Sequence, residues 1–161
     1  MKKRICVLFL MLFLAGLCGC DKIMAMETDT LYILEENEIM GMQVYTCHYE
    51  ESLANICARL ESRIKDYNYN NGGIAVWYNT AMREGDKAYI YLEYASLEDY
   101  AAFNSYNITV EEDGSDKIMT LNMDLNIQFP GEIKSTKGNV KYISDNMVSV
   151  TYGKSSQIIY K

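Results

Sequence analysis

Five cysteines and one histidine supply the most reactive side chains of this 161-residue chain. Cys47 and His48 are adjacent, and on a strand adjacent side chains point to opposite faces, so a thiol–imidazole nucleophile is not expected there. His48 should instead be exposed or locally bonded. Cys47 ends a strand-like run, and Cys57 sits on the apolar stripe of the helix that follows. Outside the cytoplasm a Cys47–Cys57 disulfide is allowed, and two buried free thiols fit equally well. His and Cys ligands are too few for a zinc site. The acidic run Glu111-Glu112-Asp113-Gly114-Ser115-Asp116 lacks the alternating carboxylates and closing glutamate of a calcium loop, so it reads as a solvated hairpin turn. The glycine pair Gly72-Gly73 lies in an asparagine-rich turn, without a phosphate-loop pattern. No nucleophile, base or metal set converges, and a non-enzymatic protein without a cofactor is expected.

Cys20 is different, because its neighbours specify a modification. Lys2, Lys3 and Arg4 precede an apolar core from Ile5 to Leu17, a length suited to a secretory leader and too short to span a bilayer comfortably. Leu17-Cys18-Gly19-Cys20 then resembles the bacterial lipobox: a large apolar residue stands three before the cysteine and a small one immediately before it. Cys20 is expected to take a diacylglyceryl group as a thioether before cleavage after Gly19. Cys18 would be a poorer acceptor, since bulky Leu17 would adjoin its scissile bond. Two acyl chains hold a protein on a membrane where one is marginal. Residues 1–19 are therefore expected to be a lipoprotein signal peptide, residues 20–27 a lipidated tether and residues 28–161 one extracytoplasmic domain.

Cleavage would leave 142 residues, a normal size for one domain. The three leader cations would leave with it, taking the formal charge from −7 to −10. So acidic a chain, without a basic run, is repelled by nucleic acid and anionic headgroups, so the acyl chains must provide the membrane attachment. The sequence holds 14 tyrosines and a single proline, Pro130, which favours strands over a disordered stalk.

The periodicity sets out the elements. Thr28–Glu36 and Ile39–His48 read as paired strands about Asn37-Glu38, with Gly41 a weak point in the second. Leu53, Ile56, Cys57, Leu60 and Ile64 form one stripe of a helix from Glu50 to about Tyr67, with Glu50 and Glu51 in its first turn. Ile74–Met82 and Lys87–Tyr94 read as a hairpin, and Ser96 with Asp99 marks a short helix by a weak capping box. Beyond Asn107 the chain reads as sheet. Leu121, Met123, Leu125, Ile127 and Phe129 alternate with polar residues as one long strand that Pro130-Gly131 stops or kinks. Val140–Ile143 and Met147–Tyr152 follow, then Gln157–Tyr160 as an edge. The fold class is α+β: a curved antiparallel sheet packed on one or two helices.

Phe129-Pro130-Gly131-Glu132-Ile133, Lys137-Gly138-Asn139 and Met147-Val148-Ser149-Val150-Thr151-Tyr152 resemble the C-terminal pattern of the LppM family of bacterial envelope lipoproteins. In that family a Pro-Gly corner, a small-residue turn and a closing strand recur behind a lipobox leader. Asn37-Glu38 stands where the family commonly has a glycine turn, and the C-terminal membrane helix of many members has no counterpart before Lys161. The resemblance implies a curved antiparallel sheet around a helix, similar to Bet v 1-like or START-like lipid-binding folds. For the mycobacterial branch it implies binding of envelope lipids, and it brings no catalytic residues. On this reading Met42, Trp77, Ile90, Leu92, Met123 and Leu125 are candidates for an apolar ligand pocket, with ordinary core filling and sheet packing as the alternative. The partners expected are the membrane, through Cys20, and either a lipid ligand or another envelope protein bound through the sheet surface.

Overall fold

The computed structural model describes residues 26–35 and 38–161. The leader, Cys20 and Asn37 therefore lie outside the described residues. Among those described, no helix is long and apolar enough to cross a membrane. The elements run β1 (Met26–Glu35), β2 (Glu38–Thr46), α1 (Glu50–Asn70), β3 (Val76–Glu84), β4 (Lys87–Tyr94), α2 (Leu97–Asn104), β5 (Ile108–Asp113), β6 (Asp116–Leu121), β7 (Leu125–Gln128), β8 (Ile133–Lys137), β9 (Val140–Ser144), β10 (Met147–Val150) and β11 (Ser156–Tyr160).

The strands form two sheets, and the architecture is α+β with curved, unclosed sheets. Sheet A has seven strands in the order β3-β4-β2-β1-β7-β10-β9, and sheet B has four in the order β5-β6-β11-β8. Two expectations change here. Sheet A is mixed, because β7 runs parallel to β1, with Leu31 opposite Ile127. The segment Gln157–Tyr160 is no edge: β11 is flanked by β6 and β8 on its two sides.

The expected long strand through residues 121–129 is two strands in two sheets. The alternation persists across the break: Leu121, Leu125, Ile127 and Phe129 are buried while Asn122 is exposed. The polar residues at the break explain it. Asn122 Oδ1 accepts from the Gly153 amide (2.9 Å) and Asp124 Oδ1 from the Tyr152 amide (3.0 Å), so they tie the crossing to the β10–β11 turn. Strand periodicity reports which side of a chain meets apolar surface, not which partner strand supplies it.

One core serves both sheets and both helices. Ile56, Leu60 and Ile64 of α1 meet Val76, Ile90 and Leu92 on the inner face of sheet A, and Met119, Leu121 and Ile158 of sheet B join the same cluster. The helix stripe is as expected. Its C-terminus is clamped to β3 by Asn68, whose Oδ1 accepts from the Ala75 and Val76 amides, each at 2.9 Å. In α2 the Ser96 hydroxyl accepts from the Asp99 amide (3.0 Å), the expected N-cap bond, and donates to Asp99 Oδ2 (2.7 Å), so the carboxylate meets the hydroxyl rather than the backbone N–H of a full capping box.

Gly41 is what lets α2 lie down. A Cβ there would stand 3.1 Å from the Tyr94 ring and 3.2 Å from the Tyr100 ring. These rings pack edge to face, with centroids 5.1 Å apart. Gly41→Val should therefore lower stability by about 2 kcal/mol through overpacking. Urea unfolding would show this as an earlier midpoint with an unchanged slope.

Candidate functional site

The inner face of sheet A is fully occupied, and the outer face is where apolar surface remains open. Cross-strand register places Trp77, Glu93, Met40 and Tyr32 in one outer row. The next row is Thr80, Tyr91, Met42 and Thr30, and then Met82, Tyr89, Val44 and Thr28. Tyr32, Met40, Met42, Tyr89 and Tyr91 are half-buried, while Trp77 and Met82 are 38% and 50% exposed. Their side chains shelter Thr30 and Val44, which keep only 2% and 6% exposure on this face. The Tyr32 hydroxyl contacts Met42 Sδ at 3.9 Å. The result is a platform of flat, polarizable side chains of the kind enriched at protein interfaces.

At the end of β1 and β4 the platform opens into a groove of about 300 Å³, lined by Leu34, Glu38, Ile39, Met40, Trp77, Glu93 and Tyr94. Glu93 is held in place. Trp77 Nε1 donates to its Oε2 at 2.6 Å, and the Asn79 side-chain amide donates to Oε1. A bulge between Tyr78 and Thr80 takes Asn79 out of pairing with β4 and allows that bond.

The six residues expected to line one apolar pocket do not come together. Ile90 and Leu92 have no exposed surface and Leu125 only 3%, so these three belong to the packed core. Met123 packs partly buried against that core, whereas Met42 and Trp77 sit on the opposite face of sheet A. Strand alternation makes the separation unavoidable: residues 90 and 92 share one face of β4, and Tyr91, the neighbour of Met42, occupies the other.

The cysteines are also separate. Cys47 is buried and donates to the Tyr49 carbonyl at 3.4 Å, while the Cys57 thiol lies 3.5 Å from the Tyr78 hydroxyl. Both are free thiols, which corrects the bridged alternative. His48 is exposed and stacks edge-on with Tyr49. The acidic run forms the β5–β6 hairpin, where Lys134 pairs with Asp116. Among the described residues, no cluster of His, Cys, Asp or Glu could hold a metal ion.

A buried polar network beneath α2 was not anticipated. Asp29 is 3% exposed and accepts from the Tyr106 hydroxyl at 2.9 Å. Gln43, its cross-strand neighbour, donates to Asn104 Oδ1 (2.9 Å) and accepts from the Tyr45 hydroxyl (2.8 Å). Asn104 in turn donates to the Tyr100 carbonyl (3.0 Å) and the Tyr94 hydroxyl (3.3 Å). Burial pushes the Asp29 carboxyl up to about 6, against the opposing pull of the Tyr106 and Tyr100 hydroxyls. By hydrogen-bond geometry the Tyr100 hydroxyl and Asp29 Oδ1 both lack a partner. The signal was in the pattern: Asp29 has the inward phase of Leu31 and Ile33, and Gln43 that of Ile39.

No family model and no curated protein matches the chain. Among solved structures it is similar to the NMR structure of the folded domain of LppM from Mycobacterium tuberculosis, with a TM-score of 0.44 and 15% sequence identity over 82% of this chain and 85% of that one. The likeness is weakly LppM-like. It covers most of both chains.

Two outcomes follow from the buried groups. The raised Asp29 value means the folded state holds this proton more tightly than the unfolded chain. That stabilisation is complete below the ordinary value of 3.8 and is lost as pH rises through about 6. Asp29→Asn cannot ionise and still offers an acceptor to Tyr106. It should gain about 3 kcal/mol on the wild type between about pH 4 and pH 8, seen in paired urea melts. Separately, unfolding without reductant in iodoacetamide should alkylate both Cys47 and Cys57, and mass spectrometry of the peptides would show it.

Proposed function

We propose that the protein is a non-enzymatic lipoprotein, held through acylated Cys20 on the extracytoplasmic face of a bacterial cell membrane. Its domain serves as an interaction module for another envelope protein. The observation that carries the second part is the uncovered outer face of sheet A, where Trp77, Met82, Tyr89, Tyr91, Met40 and Met42 remain accessible although the core beneath them is complete. An internal lipid would have to displace side chains such as Ile90 and Leu92, which have no exposed surface. Opening such a core costs several kcal/mol before any ligand contact forms. A protein partner needs no opening, and flat Tyr, Trp and Met surface gives contact area at low entropic cost.

The anchor rests on the leader chemistry, and a net charge of −7 for the whole chain gives anionic membrane surfaces no attraction of their own. Cys20→Ala should block acylation and the cleavage that follows it, so that the variant accumulates as an unacylated precursor retaining residues 1–19, and wild type should carry a mass increment of two acyl chains on its N-terminal peptide. A photo-crosslinking phenylalanine at Tyr91 should trap one discrete protein adduct in intact cells. The same residue at exposed Glu111 on β5 should trap none. Identical patterns at both positions would refute the module, and a co-purifying lipid in native mass spectrometry would replace it with a lipid carrier.

A further inference from the structure

The groove at the end of the platform has a chemistry of its own. Two carboxylates, Glu38 and Glu93, face it with Trp77, Met40 and Leu34, and no Lys or Arg is among its described lining residues. The groups that hold Glu93 are neutral: the Trp77 indole N–H and the Asn79 amide each donate to one oxygen, which orients the carboxylate and leaves its charge uncompensated. A second lone pair on each oxygen remains free to accept. The neighbouring indole is 38% exposed, so a cation can approach its ring.

We propose that this groove binds an arginine side chain of a basic segment in the partner protein. The inference rests on the interaction-module reading and names the partner's chemistry. A guanidinium is planar and weakly hydrated, and it both stacks on an aromatic ring and donates a fork of hydrogen bonds to a carboxylate. The groove supplies the ring, the fixed carboxylate, a second carboxylate at the rim and apolar walls for the methylene stem. Its volume of about 300 Å³ suits one such side chain with the flanking backbone.

Position favours a protein over a lipid headgroup as the source of the cation. A chain acylated at Cys20 reaches Met26 across residues 21–25, a tether of roughly 20 Å at full stretch. The tether enters β1 at Met26, whereas the groove lies at the opposite end, beside Leu34. A ten-residue strand separates the two by roughly 30 Å. The groove is therefore remote from the strand end nearest the anchor.

Trp77 is the only tryptophan in the protein, so its fluorescence reports on the groove directly. The full chain, purified from membranes into dodecylmaltoside micelles, would be titrated with an acetylated, amidated arginine tetrapeptide and with the matching citrulline tetrapeptide. Citrulline keeps the shape and removes the charge. Arginine should give a saturable change in Trp77 emission, and citrulline should bind at least tenfold more weakly. Glu93→Gln should weaken arginine binding about tenfold. Glu38→Gln, which leaves the hydrogen bonds to Glu93 untouched, should weaken it severalfold. Glu51→Gln, an exposed position on α1 with the same change in net charge, should bind as wild type. Equal binding of the two peptides would overturn the proposal because the cation then plays no part, and equal loss in Glu51→Gln and Glu93→Gln would overturn it as mere attraction to an acidic protein. This titration needs no cellular partner. Failure of the Tyr91 experiment with a positive titration would leave the groove standing and remove the module, and failure of the Cys20 experiment would remove only the anchor.

Discussion

The Tyr94 and Tyr100 rings meet edge to face over Gly41, and the seating of α2 on sheet A depends on that contact. Tyr94 comes from β4 and Tyr100 from α2, and the glycine of β2 between them supplies the space that any side chain would fill. Phe103, on the same helix, stacks on Tyr94 and Tyr67 and lies under the Arg63 guanidinium at 4.1 Å from its ring centre. Arg63 also donates to the Phe103 carbonyl, so the end of α2 is fastened to α1 as well as to the sheet. A helix of eight residues is marginal alone, and its order comes from these tertiary contacts.

The same seating creates the buried polar network. Asp29, Gln43 and Tyr45 have inward positions beneath α2, where water cannot satisfy them, and Asn104, half-buried at the end of α2, bonds to Gln43. Such groups cost stability unless each finds a partner, and the arrangement of donors and acceptors that satisfies them is far more specific than apolar packing. The network therefore favours one placement of α2 on the sheet. Asp29 carries the cost: it is an acid buried among tyrosine hydroxyls, with one oxygen unpartnered and no cation bonded to it.

With the helices and sheet B gathered on one side, the other side of sheet A is not covered by any element among the described residues. Alternation along β2 and β4 forces half of their residues outward, and in the middle of the two strands those residues are Met40, Met42, Val44, Tyr89 and Tyr91, with Lys87 and Glu93 at the two ends of β4. Exposed apolar surface of this kind marks interaction sites in soluble domains. Glu93 is the exception within the platform, and its two fixed hydrogen bonds give the groove a charge in a defined orientation.

Local patterns alone determined a good deal. The stripe of α1, the Ser96–Asp99 cap, the hairpin of β3 and β4 and the α+β class all arise within short stretches of chain, where spacing and side-chain chemistry suffice. The tertiary structure decided what depends on partners far apart. Residues 121–129 keep one alternation while serving two sheets, since the period of a strand is blind to the neighbour it pairs with. Gly41 reads locally as a weakness, and only Tyr94 and Tyr100, brought from elsewhere, make it a requirement. Met42 and Trp77 look like companions of Ile90 and Leu92 in composition, but the register places them on opposite faces. The glutamate that orients the groove was legible as an outward strand residue; its bonds to Trp77 and Asn79 exist because a β-bulge aligns β3 with β4, and no short-range rule reaches across that pairing.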